Sequence, residues 1–212
     1  ITEGLDGLPA RLEDWARRGA VFATWRARLR VGPGTPSPVA VRANAQALGR
    51  YAAACQDAGL VPVVAPHLDG GGPHSAAQDW PAQDWPTRCE TVMSLVLLAV
   101  MAELEDYGVD PAAVVLRPTM TVPGEESGMR PSAAECAEAT VRTLGGVPVT
   151  LAGVAFAADA HAAERATGIL AAMQSIPHIW PLTFAFGRAL TGPALAAWGG
   201  RPGRRAAGQR AL

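Results

Sequence analysis

Short apolar runs alternate along this chain with longer segments in which apolar residues return every three or four positions. Residues 9–18 read as an amphipathic helix, 20–25 as a strand, and Gly32-Pro33-Gly34 as a turn. In 38–58, Val41, Ala45, Leu48 and Ala52 fall on one helical face, and 60–64 predicts a second strand. A helix over 87–107 stops at Gly108, and 113–117 forms a third strand. Ser132 and Glu135 have the spacing of a capping box and open a helix over 132–144. The pattern ends with a strand at 151–156, a helix at 160–174, a strand at 182–186 and a short helix at 189–198. Strand and helix alternate throughout, which predicts five βα units around a parallel sheet.

Composition narrows the class. The chain has 212 residues, 49% of them hydrophobic, enough for one domain over 1–212 with a sizeable core. A net charge of −1 argues against a nucleic-acid partner. The apolar run at 92–102 is too short to span the roughly 30 Å of hydrocarbon in a bilayer, so no membrane partner is expected. Cys55, Cys89 and Cys136 are odd in number and widely spaced, which fits a reducing cytoplasm. Ala77-Gln-Asp-Trp-Pro81 is repeated at once as Ala82-Gln-Asp-Trp-Pro86. Residues 66–86 therefore read as an inserted loop, its repeat a duplication or, alternatively, a pair of tryptophans that dock a sugar or a partner. Arg201, Arg204, Arg205 and Arg210 read as a solvated basic tail. His67, Asp69 and His74 carry metal-ligand atoms, but across Gly70-Gly-Gly72 nothing fixes their geometry, so no metal or other cofactor is assigned. No GxGxxG, Walker lysine or GxSxG occurs.

Seven segments share one resemblance. They are Gly4-Leu-Asp-Gly-Leu8, Phe22-Ala-Thr-Trp-Arg26, Arg50-Tyr-Ala-Ala-Ala-Cys55, Gly59-Leu-Val-Pro-Val-Val64, Val115-Leu-Arg-Pro-Thr-Met120, Thr183-Phe-Ala-Phe-Gly-Arg-Ala-Leu190 and Ala197-Trp-Gly-Gly200. In this order the chain resembles the class I, Schiff-base fructose-bisphosphate aldolases. The resemblance implies an α/β fold, the parallel (β/α)₈ TIM barrel, of which the five C-terminal βα units are present. Such an incomplete barrel exposes two sheet edges, so a second copy of the chain or a partner segment is expected to cover them.

The same resemblance implies chemistry that these residues do not supply. At Arg117 the family carries the lysine that attacks the ketose carbonyl. A guanidinium keeps its proton at physiological pH and has no lone pair for that attack. All 18 basic residues are arginine, so no lysine elsewhere replaces it. At Ala65 the family carries a glutamate that moves protons, and a methyl group cannot. A second family glutamate is His67 here, which could titrate near neutrality or simply be hydrogen-bonded at a strand end. A phosphate-holding Ser-Gly-Gly turn is replaced by Ala158-Asp159-Ala160, and Arg117 is expected to pair with Asp159 or to bind an anion. No catalytic residue is assigned. Gly187 and Arg188 match the family's phosphate clamp, and Arg26 matches an arginine at the barrel mouth. These three are the expected contacts to a sugar phosphate or inorganic anion. The expected function is that of an aldolase-family member, truncated and without imine activity. A repurposed lyase or isomerase using His67 and Asp159, and a partial glycolytic aldolase sequence, are the alternatives.

Overall fold

Helix caps and the ends of apolar runs set the element boundaries in the computed structural model, which describes residues 3–32, 34–72, 85–157 and 163–212. Helix α1 (Leu8–Arg17) buries Leu8 and Leu12 and leads into β1 (Phe22–Leu29). Gly32 and Thr35 then exchange backbone hydrogen bonds at 3.1 Å across the expected turn. The Ser37 hydroxyl accepts from the Ala40 amide at 3.1 Å, and Pro38 fills the first turn of α2 (Pro38–Asp57). Strand β2 (Val61–Leu68), α3 (Trp85–Asp106) and β3 (Val115–Leu116) follow. The expected capping box opens α4 (Ala133–Thr143). There Ser132 N donates to Glu135 Oε2 at 2.8 Å, and Glu135 N donates to Ser132 Oγ at 3.2 Å. The chain continues through β4 (Gly153–Phe156), α5 (Ala163–Gln174), β5 (Leu182–Phe184), α6 (Arg188–Trp198) and α7 (Arg205–Arg210).

The five strands form one sheet in the order β1-β2-β3-β4-β5, and every neighbouring pair is parallel. A parallel pair needs a crossover between its strands, and in each interval a helix supplies it. The helices pack on one face of the sheet. Val64, Leu116, Val154 and Phe156 point into that layer, each no more than 1% exposed, among Leu48, Ala52, Val96, Val100 and Ile169. Trp25 of β1 meets Tyr51 of α2 with ring centroids 5.6 Å apart. The α3 apolar run buries Val92, Met93, Val96, Leu97 and Val100 and leaves Leu95 and Leu98 facing solvent. No helix among the described residues is long and apolar enough to cross a membrane.

Several boundaries differ from the sequence reading. Strand β1 runs to Leu29, four residues beyond its expected end, so Arg26 lies inside the strand. Strand β2 runs to Leu68, four residues beyond its expected end. The β2–β3 ladder covers Val63 and Val64, so Pro66, which has no amide to donate, lies beyond it. Residues 66–68 consequently belong to β2, and Trp85 and Pro86 lie in α3. Residues 73–84, with His74 and most of the repeat, fall outside the described residues. Strand β3 is two residues long, since residues 111–113 form a 3₁₀ turn and Pro118 offers no amide to extend the ladder. The basic tail is folded: a 3₁₀ turn at Pro202–Arg204 leads into α7, which packs on α6. Gly199 and Gly200, at φ 57° and 70°, supply the left-handed backbone that reverses the chain there.

Candidate functional site

Side chains alternate between the two faces of a strand, so the register assigns each residue to the helix-covered face or the open one. On β1, Trp25, Ala27 and Leu29 face the helices, whereas Phe22, Thr24, Arg26 and Arg28 take the open face, which is the inner face of a barrel. Arg26 pairs in register with Ala65. Val63 pairs with Val115, and Arg117 N donates to Val64 O at 2.7 Å, which carries the register on to place Arg117 beside Ala65. By the same continuation Ala155 follows Arg117, and Ala155 pairs with Thr183. One row across the open face therefore reads Arg26, Ala65, Arg117, Ala155, Thr183. The next row toward the C-terminal ends reads Arg28, His67, Thr119, Ala157, Ala185. It is carried by the Arg28–His67 pair, the Thr119–Ala157 bridge, and the Ala185 N to Phe156 O bond at 2.8 Å.

The two rows differ electrostatically. In the second, Arg28 donates to the Asp69 carboxylate at 3.0 Å, and His67 is buried beside it at the end of β2. Asp69 is thereby engaged as an ion-pair partner. In the first row Arg26 is exposed and Arg117 half-buried, and neither guanidinium makes a hydrogen bond or ion pair with any described residue. Two inter-strand spacings separate their backbones, about 10 Å. At that distance like charges repel by about 1–2 kcal/mol for an effective dielectric near 20, and salt reduces this further. An anion between them would turn this cost into attraction. Ala65, the residue between them, contributes only a methyl group.

The remaining expected contacts come from β5 and α6. Gly187 is the N-cap of α6 and offers no side chain to satisfy the first-turn amides, while Thr191 donates from both N and Oγ1 to Gly187 O, at 3.0 and 3.2 Å. Arg188 is the first residue of α6. The 11-residue helix thus presents its N-terminal amides at the C-terminal end of β5, where the macrodipole favours an anion. Ala158, Asp159 and Ala160 lie outside the described residues, and with them the expected Arg117–Asp159 pair. Arg26 and Arg117 are in one row, with His67 one row above. Arg28 and its bond to Asp69 were not anticipated. The signal was present in Trp25-Arg-Ala-Arg-Leu-Arg-Val31, where apolar residues alternate strictly with arginines as a half-buried strand requires.

The family model for fructose-bisphosphate aldolase class-I matches residues 1–212. Fructose-bisphosphate aldolase C of Rattus norvegicus is 39% identical over 203 residues, covering 94% of this chain and 53% of that protein. A probable fructose-bisphosphate aldolase class 1 of Xanthomonas campestris is 37% identical over 200 residues, covering 93% of this chain and 57% of that one. Among solved structures, the fructose-bisphosphate aldolase of Plasmodium falciparum, crystallised in complex with TRAP and a small-molecule inhibitor, superposes with a TM-score of 0.89 at 34% identity. It covers 98% of this chain, which in turn covers 58% of it. The chain spans somewhat more than half the length of these relatives. With five parallel strands in sequence order and helices between them, it is a portion of a TIM-type barrel and belongs to the class-I fructose-bisphosphate aldolase family.

Proposed function

We propose that this chain is an aldolase-family barrel portion that performs no imine chemistry and retains binding of a small anion, in the cytoplasm. One observation carries the reading. The residue that follows β3 on the open face, where the family resemblance puts the nucleophilic lysine, is Arg117. A cation that never releases its proton cannot form a carbinolamine with a ketose. Beside it Ala65 cannot shuttle the proton that carbon–carbon cleavage requires.

The residual binding is assigned to Gly187 and Arg188 at the start of α6, with Arg26 contributing from the other edge of the sheet. The ligand class is a sugar phosphate or inorganic phosphate. Strands β1 and β5 each have one neighbour in the sheet, so a second copy of the chain or a further segment pairing with those edges completes the proposal. The buried position of His67 at the end of β2 favours a second reading, lyase or isomerase chemistry on the same face, in which His67 exchanges a proton with substrate.

Two measurements separate these readings. In a coupled assay the purified protein should show no fructose 1,6-bisphosphate cleavage, and Arg117→Lys alone should not create it, because Ala65 and Ala158 remain. Titration with inorganic phosphate should show binding no tighter than about 1 mM, worth roughly 4 kcal/mol, which Arg188→Ala abolishes and added salt weakens. Turnover by the unmodified chain, or unchanged phosphate affinity in Arg188→Ala, would overturn the corresponding half of the proposal.

A further inference from the structure

We infer that Arg117 forms a second anion site on the open sheet face with Arg26, which the proposed phosphate site shares, and that it takes a short dicarboxylate. The inference rests on the reading that Arg117 is a binding group and not a damaged nucleophile. Three observations lead to it. The two guanidiniums belong to one row across the sheet, with only Ala65 between them. Neither has a hydrogen bond or ion pair with any described residue, whereas Arg28 one row above is neutralised by Asp69 at 3.0 Å. The row continues through Ala155 to Thr183, so no bulky side chain from these strands stands beside Arg117.

Spacing selects the ligand. Side chains stand roughly perpendicular to a sheet, so two arginines two strands apart present their forks about 10 Å from each other. A guanidinium grips a carboxylate through two parallel N–H···O bonds of about 2.7–2.9 Å. A single phosphoryl group reaches both forks only if they lean together. A four-carbon dicarboxylate reaches both as they stand, with one carboxylate on each fork. Its central carbons then bridge from one fork to the other. Recognition of two carboxylates by two arginines involves no covalent step and needs no lysine.

Calorimetric titration of the purified chain with succinate, acetate and inorganic phosphate tests this. Succinate should bind at least about tenfold more tightly than acetate, because only the dianion engages both forks. Arg26→Gln and Arg117→Gln should each reduce succinate binding to the level of acetate, while Arg188→Ala leaves it unchanged. Arg117→Lys keeps the charge and removes the fork, and it should weaken succinate binding while far-ultraviolet circular dichroism shows an intact fold. Equal affinity for succinate and acetate, or succinate binding lost in Arg188→Ala and retained in Arg117→Gln and Arg117→Lys, overturns the site. Phosphate binding that depends on Arg188 survives that outcome; Arg26→Gln touches both assignments, whereas Arg117→Gln and Arg188→Ala each touch one and so distinguish their failures.

Discussion

The packing that holds β1 and β2 in place predicts opposite outcomes for one substitution at two glycines. Gly49 lies in the middle of α2, where that helix crosses α3. A Cβ there would stand 2.8 Å from Tyr107 Cδ2, 3.0 Å from Glu103 O and 3.1 Å from Glu103 Cβ. The Tyr107 ring is 39% exposed and can swing away, but the Glu103 carbonyl is helix backbone and cannot. Gly168, in the interior of α5, would place its Cβ 3.9 Å from Ala133 Cβ, an ordinary contact. Each Gly→Ala change gains about 0.8–1.0 kcal/mol of helix propensity. At Gly49 the forced separation of α2 and α3 costs about 1–3 kcal/mol. Gly168→Ala should therefore stabilise by about 1 kcal/mol, and Gly49→Ala should range from neutral to about 2 kcal/mol destabilising. Urea titration followed by circular dichroism measures both, and unchanged m-values would tie the midpoint shifts to the native state. For a chain of this size the thermal midpoints should separate by about 2–4 °C per kcal/mol. If both variants gain stability equally, the close approach of α2 and α3 is not a constraint and the packing argument fails.

Other predictions follow from groups away from the open face. Burial pushes the Cys55 thiol up to about 11, and Cys89 and Cys136 are also buried, so at pH 8 the native protein should resist iodoacetamide and react at three sites once unfolded. Rapid native labelling of any of the three would contradict the core assignment. Hydrogen bonds from the Ser132 amide and hydroxyl lower the Glu135 carboxyl below its usual range. A depressed folded value contributes stability that is present above the unfolded value of about 4.3 and is lost as pH falls through the folded one. Glu135→Gln keeps the cap and removes the titration, so its unfolding midpoint should fall less steeply over that acid window. An unaltered acid slope would remove the capping box from the pH response.

The fold was legible in the sequence where periodicity is strong, and the site was legible where a single residue type decides the chemistry. Helix α2 announces itself through the spacing of Val41, Ala45, Leu48 and Ala52, and α4 through Ser132 with Glu135, since periodicity and caps are both local in sequence. The parallel order follows from alternation of strand and helix. Strand lengths were less legible, because pairing with a distant partner sets them. Strand β1 continues through Arg26 and Arg28 only because one face opens away from the helices, and β3 is cut to two residues by Pro118. That a guanidinium at 117 has no lone pair for carbonyl attack needed no structure, since its chemistry is the same in any environment. That Arg117 shares a row with Arg26, and that Arg28 is neutralised by Asp69, needed the register. A one-residue slip would have sent these side chains to the opposite face.

The absence of imine chemistry is the central claim, and reductive trapping tests it directly. The purified chain is incubated with dihydroxyacetone phosphate and sodium borohydride, and the intact mass is followed by peptide mapping, which sets aside any adduct on the α-amine. With arginine at 117 and no lysine among the 212 residues, no side chain should gain the mass of the reduced triose phosphate. A stoichiometric adduct on a side chain within the strands of this sheet would contradict the account.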